Sequence, residues 1–156
     1  MNKFSSYKPL LIIFLYIIFA TACLPFVEVN NYMQNFMGLI LLTFSYFKII
    51  NLQKFSESFI QYDPLAKIFK PYSSLYPFLE VILGVGFLTA FNIKYVSILT
   101  ALVTGIGAYG ILQTIKSKQI IECACLGMVF KFPLSKVSLI ENLVMCVMSV
   151  SIYLSI

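Results

Sequence analysis

The sequence predicts an all-α integral membrane protein, a bundle of about five transmembrane helices. Three observations support that class. Of 156 residues, 60% are hydrophobic and 11% charged, whereas a soluble domain carries about a quarter charged residues. Mean hydropathy is +0.93, and the apolar residues gather into five runs close to the roughly 20 residues that a helix needs to cross a hydrocarbon core of about 30 Å. The eleven cationic side chains are all lysines, lying between those runs or, for Lys48, at the end of one.

The first run covers residues 9–27. Lys3 and Lys8 precede it, a pattern that also describes a signal peptide, and "FATAC" at 19–23 resembles a lipoprotein cleavage box with Cys23 as the acylated residue. Leu24, Phe26 and Val27 continue the apolar run past that box, which favours an uncleaved helix. The second run is 33–50, closed by Lys48. In the long connection that follows, Phe55, Phe59 and Tyr62 recur at helical spacing with Lys54, Glu57 and Gln61 between them, as in a short helix lying at the membrane interface. "YDP" at 62–64 ends it, because a proline disfavours helix in the residue before it. The third, fourth and fifth runs are 75–91, 95–115 and 139–156.

With five alternating helices, every lysine except Lys94 falls on one side, and the positive-inside rule makes that side cytoplasmic. The expected protein is therefore a multi-pass membrane protein, with its N-terminus on the cytoplasmic side and its C-terminus outside. The net charge of +5 is a product of that topology. No aromatic-basic recognition motif accompanies it, so a nucleic-acid partner is not expected. Nor is a dinucleotide site: "GIGAYG" at 105–110 spells GxGxxG but lacks the strand and βαβ unit that give the fingerprint meaning. Ala101, Gly105 and Ala108 instead offer a small-residue face for helix packing, as do Gly84 and Gly86.

Few charged groups lie within the apolar runs. Glu80 lies inside the third, where a charge costs a few kcal/mol unless it finds water or a partner, and Lys48 at the end of the second run is the natural partner. Structural and site roles are both open to this pair. Ser138-Leu-Ile-Glu141 fits a capping box, in which Ser138 caps the last helix and Glu141 returns to the cap N–H. Cys123 and Cys125, in "IIECACLGMVF" at 120–130, sit in the connection before that helix. Two thiols so close can form a disulfide, exchange with another thiol pair, or grip a soft two-coordinate ion such as Cu(I) or Hg(II). A four-ligand zinc site is not expected, because histidine is absent and Cys23 and Cys146 lie at other predicted levels, and Cys146, in mid-helix, reads as inert.

These segments together resemble the methylamine-utilisation protein MauE family, within the DoxX-like membrane proteins. The resemblance runs over roughly residues 35–150 and rests most on the P-x-x-E of Pro77 and Glu80, the C-x-C-x-G of Cys123, Cys125 and Gly127, Glu141 at the next helix start, and Lys48. It implies a four-helix membrane domain over 33–156, with 1–32 as an additional N-terminal helix and outer loop. It further implies a redox-associated protein of the inner membrane, linked through its namesake to methylamine metabolism. Cys123 and Cys125 would be the redox pair, exchanging thiols with a thioredoxin-like or client protein. Glu80, Glu141 and Lys48 would tune the pair or relay protons, with no resident cofactor. The other readings of the same residues are a soft-metal carrier using the two thiols and a membrane scaffold for assembling a partner.

Overall fold

A computed structural model describes residues 3–23, 32–116 and 135–156. These are helical almost throughout: α1 (Lys3–Cys23), α2 (Tyr32–Ile50), α3 (Leu52–Tyr62), α4 (Pro64–Ile68), α5 (Lys70–Leu88), α6 (Ile93–Lys116) and α7 (Ser135–Ser155). No strand occurs among the described residues. Helices α2, α5, α6 and α7 each carry a stretch long and apolar enough to cross a membrane, while the apolar stretch described within α1, Ile12–Ala22, is shorter. The protein is a multi-pass membrane protein with an extra N-terminal helix.

The bundle is built from two antiparallel pairs, α2 with α5 and α6 with α7. Hydrophobic burial gives little drive for helix association in lipid, so close backbone approach and polar contacts carry it. Gly38 of α2 and Gly84 of α5 provide the first approach. A Cβ on Gly84 would stand 3.1 Å from the Gly38 carbonyl oxygen and 3.0 Å from Leu42. Around this crossing Met37, Ile40, Leu41 and Phe44 of α2 interlock with Leu83 and Phe87 of α5, and Ile17 of α1 and Met145 and Ile152 of α7 close the same core. In the α6–α7 pair, Gly107 admits the Asn142 side chain, whose Oδ1 would lie 3.1 Å from a Cβ. Gly105 meets the Cys146 sulfur at an ordinary 3.7 Å. Cys146 is a free thiol that donates to the Ala101 carbonyl at 3.6 Å.

Short helices α3 and α4 pack across the lysine-rich end. Helix α3 has the expected amphipathic pattern, but its aromatic face does not lie on lipid: Phe55 and Phe59 are buried against Tyr72 and Tyr76 of α5. Tyr62 ends the helix as the proline predicts, and Asp63 immediately starts another. Its Oδ1 accepts from the Leu65 and Ala66 N–H groups at 2.9 Å each, with Pro64 at the first position of α4. Gly110 of α6 makes room for this junction, since a Cβ there would collide with the Tyr62 carbonyl oxygen.

Two helix boundaries differ from the sequence expectation. Helix α5 begins at Lys70 rather than 75, because Phe69 turns the chain and Pro71 occupies the first turn, where a missing N–H costs nothing. Helix α7 begins at Ser135. Ser138 and Glu141 therefore stand inside its first two turns and do not form the expected capping box. Between α5 and α6 the chain reverses within a few residues. Ala90 and Asn92 adopt positive φ values of 53° and 46° there, a conformation Asn tolerates better than Ala.

Candidate functional site

Where α2 ends, Lys48 turns inward. Its side chain, 6% exposed, brings Nζ within 2.5 Å of Glu80 Oε1 and 3.9 Å of Glu141 Oε1. The ammonium also lies over the rings of Tyr76, 5.1 Å from the centroid, and Phe55, 5.6 Å. Four elements thus meet at one cation. Helix α2 supplies Lys48, α3 the Phe55 ring, α5 Tyr76 and Glu80, and α7 Glu141. An ammonium surrounded by carboxylates and aromatic faces is stabilised by ion pairing and cation–π attraction together.

Local sequence explains this convergence. Tyr76, Pro77 and Glu80 share the buried side of α5. Pro77 has no N–H to give the Ser73 carbonyl, and the Ser73 hydroxyl donates to the Lys70 carbonyl and accepts from the Ser56 hydroxyl of α3. These contacts hold the first turns of α5 against α3 and fix Tyr76 over Lys48. Glu80 is 2% exposed and binds Lys48 through Oε1 alone. Oε2 is buried without a well-formed hydrogen bond, although the Tyr76 hydroxyl is near enough to influence the carboxyl.

Beside the ammonium is a small cavity of about 10 Å³, enough for the centre of one water molecule. Lys48, Tyr76, Gly107, Ser138, Glu141 and Asn142 are among its walls. The arrangement can hold a proton donor between two carboxylates with a water-sized space alongside, which is what short-range proton transfer needs. No group of three His, Cys, Asp or Glu side chains capable of holding a metal occurs among the described residues. Lys48 itself occupies the space between the two carboxylates.

Three of the five site residues expected from sequence are therefore brought together: the Lys48–Glu80 pair, and Glu141, which joins it through the same ammonium. The other two, Cys123 and Cys125, lie outside the described residues, in the segment that connects Lys116 at the end of α6 to Ser135 at the start of α7. Those two helix ends are at the lysine-rich end of the bundle, the end nearer the Lys48 cluster. Sequence reasoning missed Tyr76, Phe55 and Asn142. The first two were legible only as parts of aromatic runs, and Asn142 only as a polar residue next to Glu141.

Outside the cluster, Asp63 is a second buried carboxylate. Its Oδ2 has no hydrogen-bonding partner. Burial pushes its carboxyl above the ordinary aspartate value, against the opposing pull of the Ala66 and Leu65 N–H groups and of Lys67.

Comparison with known proteins agrees with this architecture. The family model described as methylamine utilisation protein MauE matches residues 26–155, a range that takes in α2 to α7 and leaves α1 outside. No curated protein and no solved structure matches the chain. By the match over most of its length, the chain belongs to the methylamine utilisation protein MauE family.

Proposed function

We propose that this protein is a thiol–disulfide redox protein of the bacterial cytoplasmic membrane, in which Cys123 and Cys125 exchange electrons with a thioredoxin-like or client protein. In this reading the lysine-rich end faces the cytoplasm, following the positive-inside rule, and the client belongs to methylamine utilisation, as the family name suggests. The observation that carries the reading is the Lys48 ammonium held between Glu80 and Glu141. A charged cluster inside a membrane bundle is costly to keep without a use, and thiol exchange supplies one. When the dithiol reduces a partner disulfide, two S–H bonds are lost and an S–S bond forms. Two electrons pass to the partner, whose sulfurs take up two protons. One thiol must lose its proton to become the attacking thiolate before the mixed disulfide forms. The cluster provides carboxylates to receive such a proton and an ammonium to balance them.

The test uses the purified full-length protein, reduced and then offered a disulfide-form thioredoxin. Two electrons should transfer per chain. Cys123→Ser or Cys125→Ser should abolish complete transfer, and one of the two variants should trap a mixed disulfide. If both single variants transfer at the wild-type rate, the thiol reading is wrong. Stoichiometric Cu(I) binding without any exchange would replace it with the soft-metal carrier, and neither result would leave the assembly scaffold.

A further inference from the structure

Polar side chains do not stop at the Lys48 cluster. Along α6 the inward positions Ser97, Thr100 and Thr104 are buried, and along α7 so are Ser138 and Ser149, with half-buried Asn142 between them. Three contacts set the antiparallel register: Gly107 against Asn142, the Ala101 carbonyl against the Cys146 thiol, and Lys94 over the Tyr153 ring at 6.0 Å. By that register Ser97 and Ser149 come to one level, between the Cys146 contact and the exposed Lys94 end.

Helix packing accounts for part of this seam. Thr100 and Thr104 donate to the carbonyls of Val96 and Thr100 in their own helix, a common way to satisfy a hydroxyl in lipid. It does not account for Ser97 and Ser149. Both are fully buried, and neither hydroxyl has a hydrogen-bonding partner. If tight packing were the sole requirement, alanine would fill these positions without an unsatisfied polar group. At the other end of the seam, Ser138 and Asn142 line the water-sized cavity beside Lys48 and Glu141. From Ser138 to Tyr153 the seam extends about 22 Å at 1.5 Å per residue, most of a hydrocarbon core of about 30 Å.

We propose that the α6–α7 seam is a proton pathway joining the Lys48–Glu80–Glu141 cluster to the opposite face of the membrane, with water bridging the buried hydroxyls of Ser97 and Ser149. Each hydroxyl accepts a proton from one neighbour and gives one to the next, so nothing is oxidised and the path is restored by rotation of the hydroxyls. The exposed end is marked by Lys94 and Tyr153, and the cluster end by the small cavity. This pathway stands independently of whether Cys123 and Cys125 exchange thiols.

The experiment reconstitutes the full chain into phosphatidylethanolamine–phosphatidylglycerol vesicles containing a pH-sensitive dye, with the membrane potential clamped by potassium and valinomycin. An imposed pH gradient should collapse at least tenfold faster than in protein-free vesicles, in the thiol-reduced or thiol-oxidised protein. The double variant Ser97→Ala/Ser149→Ala should slow that collapse at least fivefold. Ser151→Ala, on the exposed side of the same helix, should leave it unchanged. If the double variant is not recovered folded, Ser97→Ala and Ser149→Ala are each read in the same way, since one missing hydroxyl interrupts the path. Gradients as durable as in protein-free vesicles in both thiol states, or wild-type rates in the serine variants, would overturn the proposal.

Discussion

Lys48 reaches Glu80 at 2.5 Å although the lysine is two residues from the end of α2 and the glutamate is ten residues inside α5. A lysine so placed ordinarily extends toward the aqueous boundary. Here it bends inward, because α3 and the first turns of α5 cover the end of α2 and offer two aromatic faces beneath the ammonium.

Removing Lys48 leaves the Glu80 carboxylate buried without its cation, whereas removing Glu80 leaves Lys48 its longer contact with Glu141. Lys48→Met is expected to destabilise the folded protein by about 3–5 kcal/mol, and Glu80→Leu, which leaves Lys48 beside Glu141, by less. The double variant removes both members of the short pair but leaves Glu141 without Lys48, and should recover part of the Lys48→Met loss. Thermal unfolding in detergent measures all three; a double-variant loss equal to the sum of the two single losses would mean that the pair is not coupled.

Much of this arrangement was legible in the sequence. Lys48 and Glu80 stand out because charges inside apolar runs demand partners, and lysine spacing orders the helices without any coordinates. Glu141 was harder to read. Its spacing from Ser138 matches a capping box, and only the earlier start of α7 at Ser135 reveals that Glu141 reaches Lys48 instead. Local pattern could not show this, since helix starts are set by the chain before them. Asp63-Pro64 carried a second message that the proline rule obscured: the same dipeptide that stops α3 caps and opens α4. Phe55 and Phe59 matched an interfacial helix equally well whether they faced lipid or Tyr72 and Tyr76, because periodicity identifies a face and not what covers it.

Asp63 provides a pH signature outside the spans. Because the folded carboxyl holds its proton more tightly than the ordinary value of 3.8, its contribution to stability is complete below that value. It declines as pH rises through the higher folded value. Asp63→Asn keeps the oxygen that caps α4 while removing the buried charge. This variant should match wild type in acid and exceed it at neutral pH. Asp63→Ala loses both cap bonds and should cost about 1 kcal/mol. Unfolding measured from pH 3 to 7 separates the two, and an Asn variant weaker than wild type at neutral pH would contradict the assignment.

The glycines should separate by what surrounds them. Gly84→Val drives side-chain atoms toward the Gly38 carbonyl and Leu42, and should cost about 1–3 kcal/mol by overpacking. Gly105→Ala meets only the Cys146 sulfur at 3.7 Å. It should gain about 0.5–1 kcal/mol, because alanine loses less backbone entropy than glycine in a helix. Thermal melts of the two variants give opposite signs if α2–α5 and α6–α7 pack as described.

The most direct test of the thiol reading is sided alkylation of Cys123 and Cys125 in intact cells and in inverted membrane vesicles, using a membrane-impermeant maleimide before and after reduction. The expected result is a pair protected when oxidised and labelled after reduction, with labelling in inverted vesicles and none in intact cells. Thiols that label equally before and after reduction, and never cross-link, would contradict the redox role. Labelling from the outside would instead reverse the orientation given by the lysines.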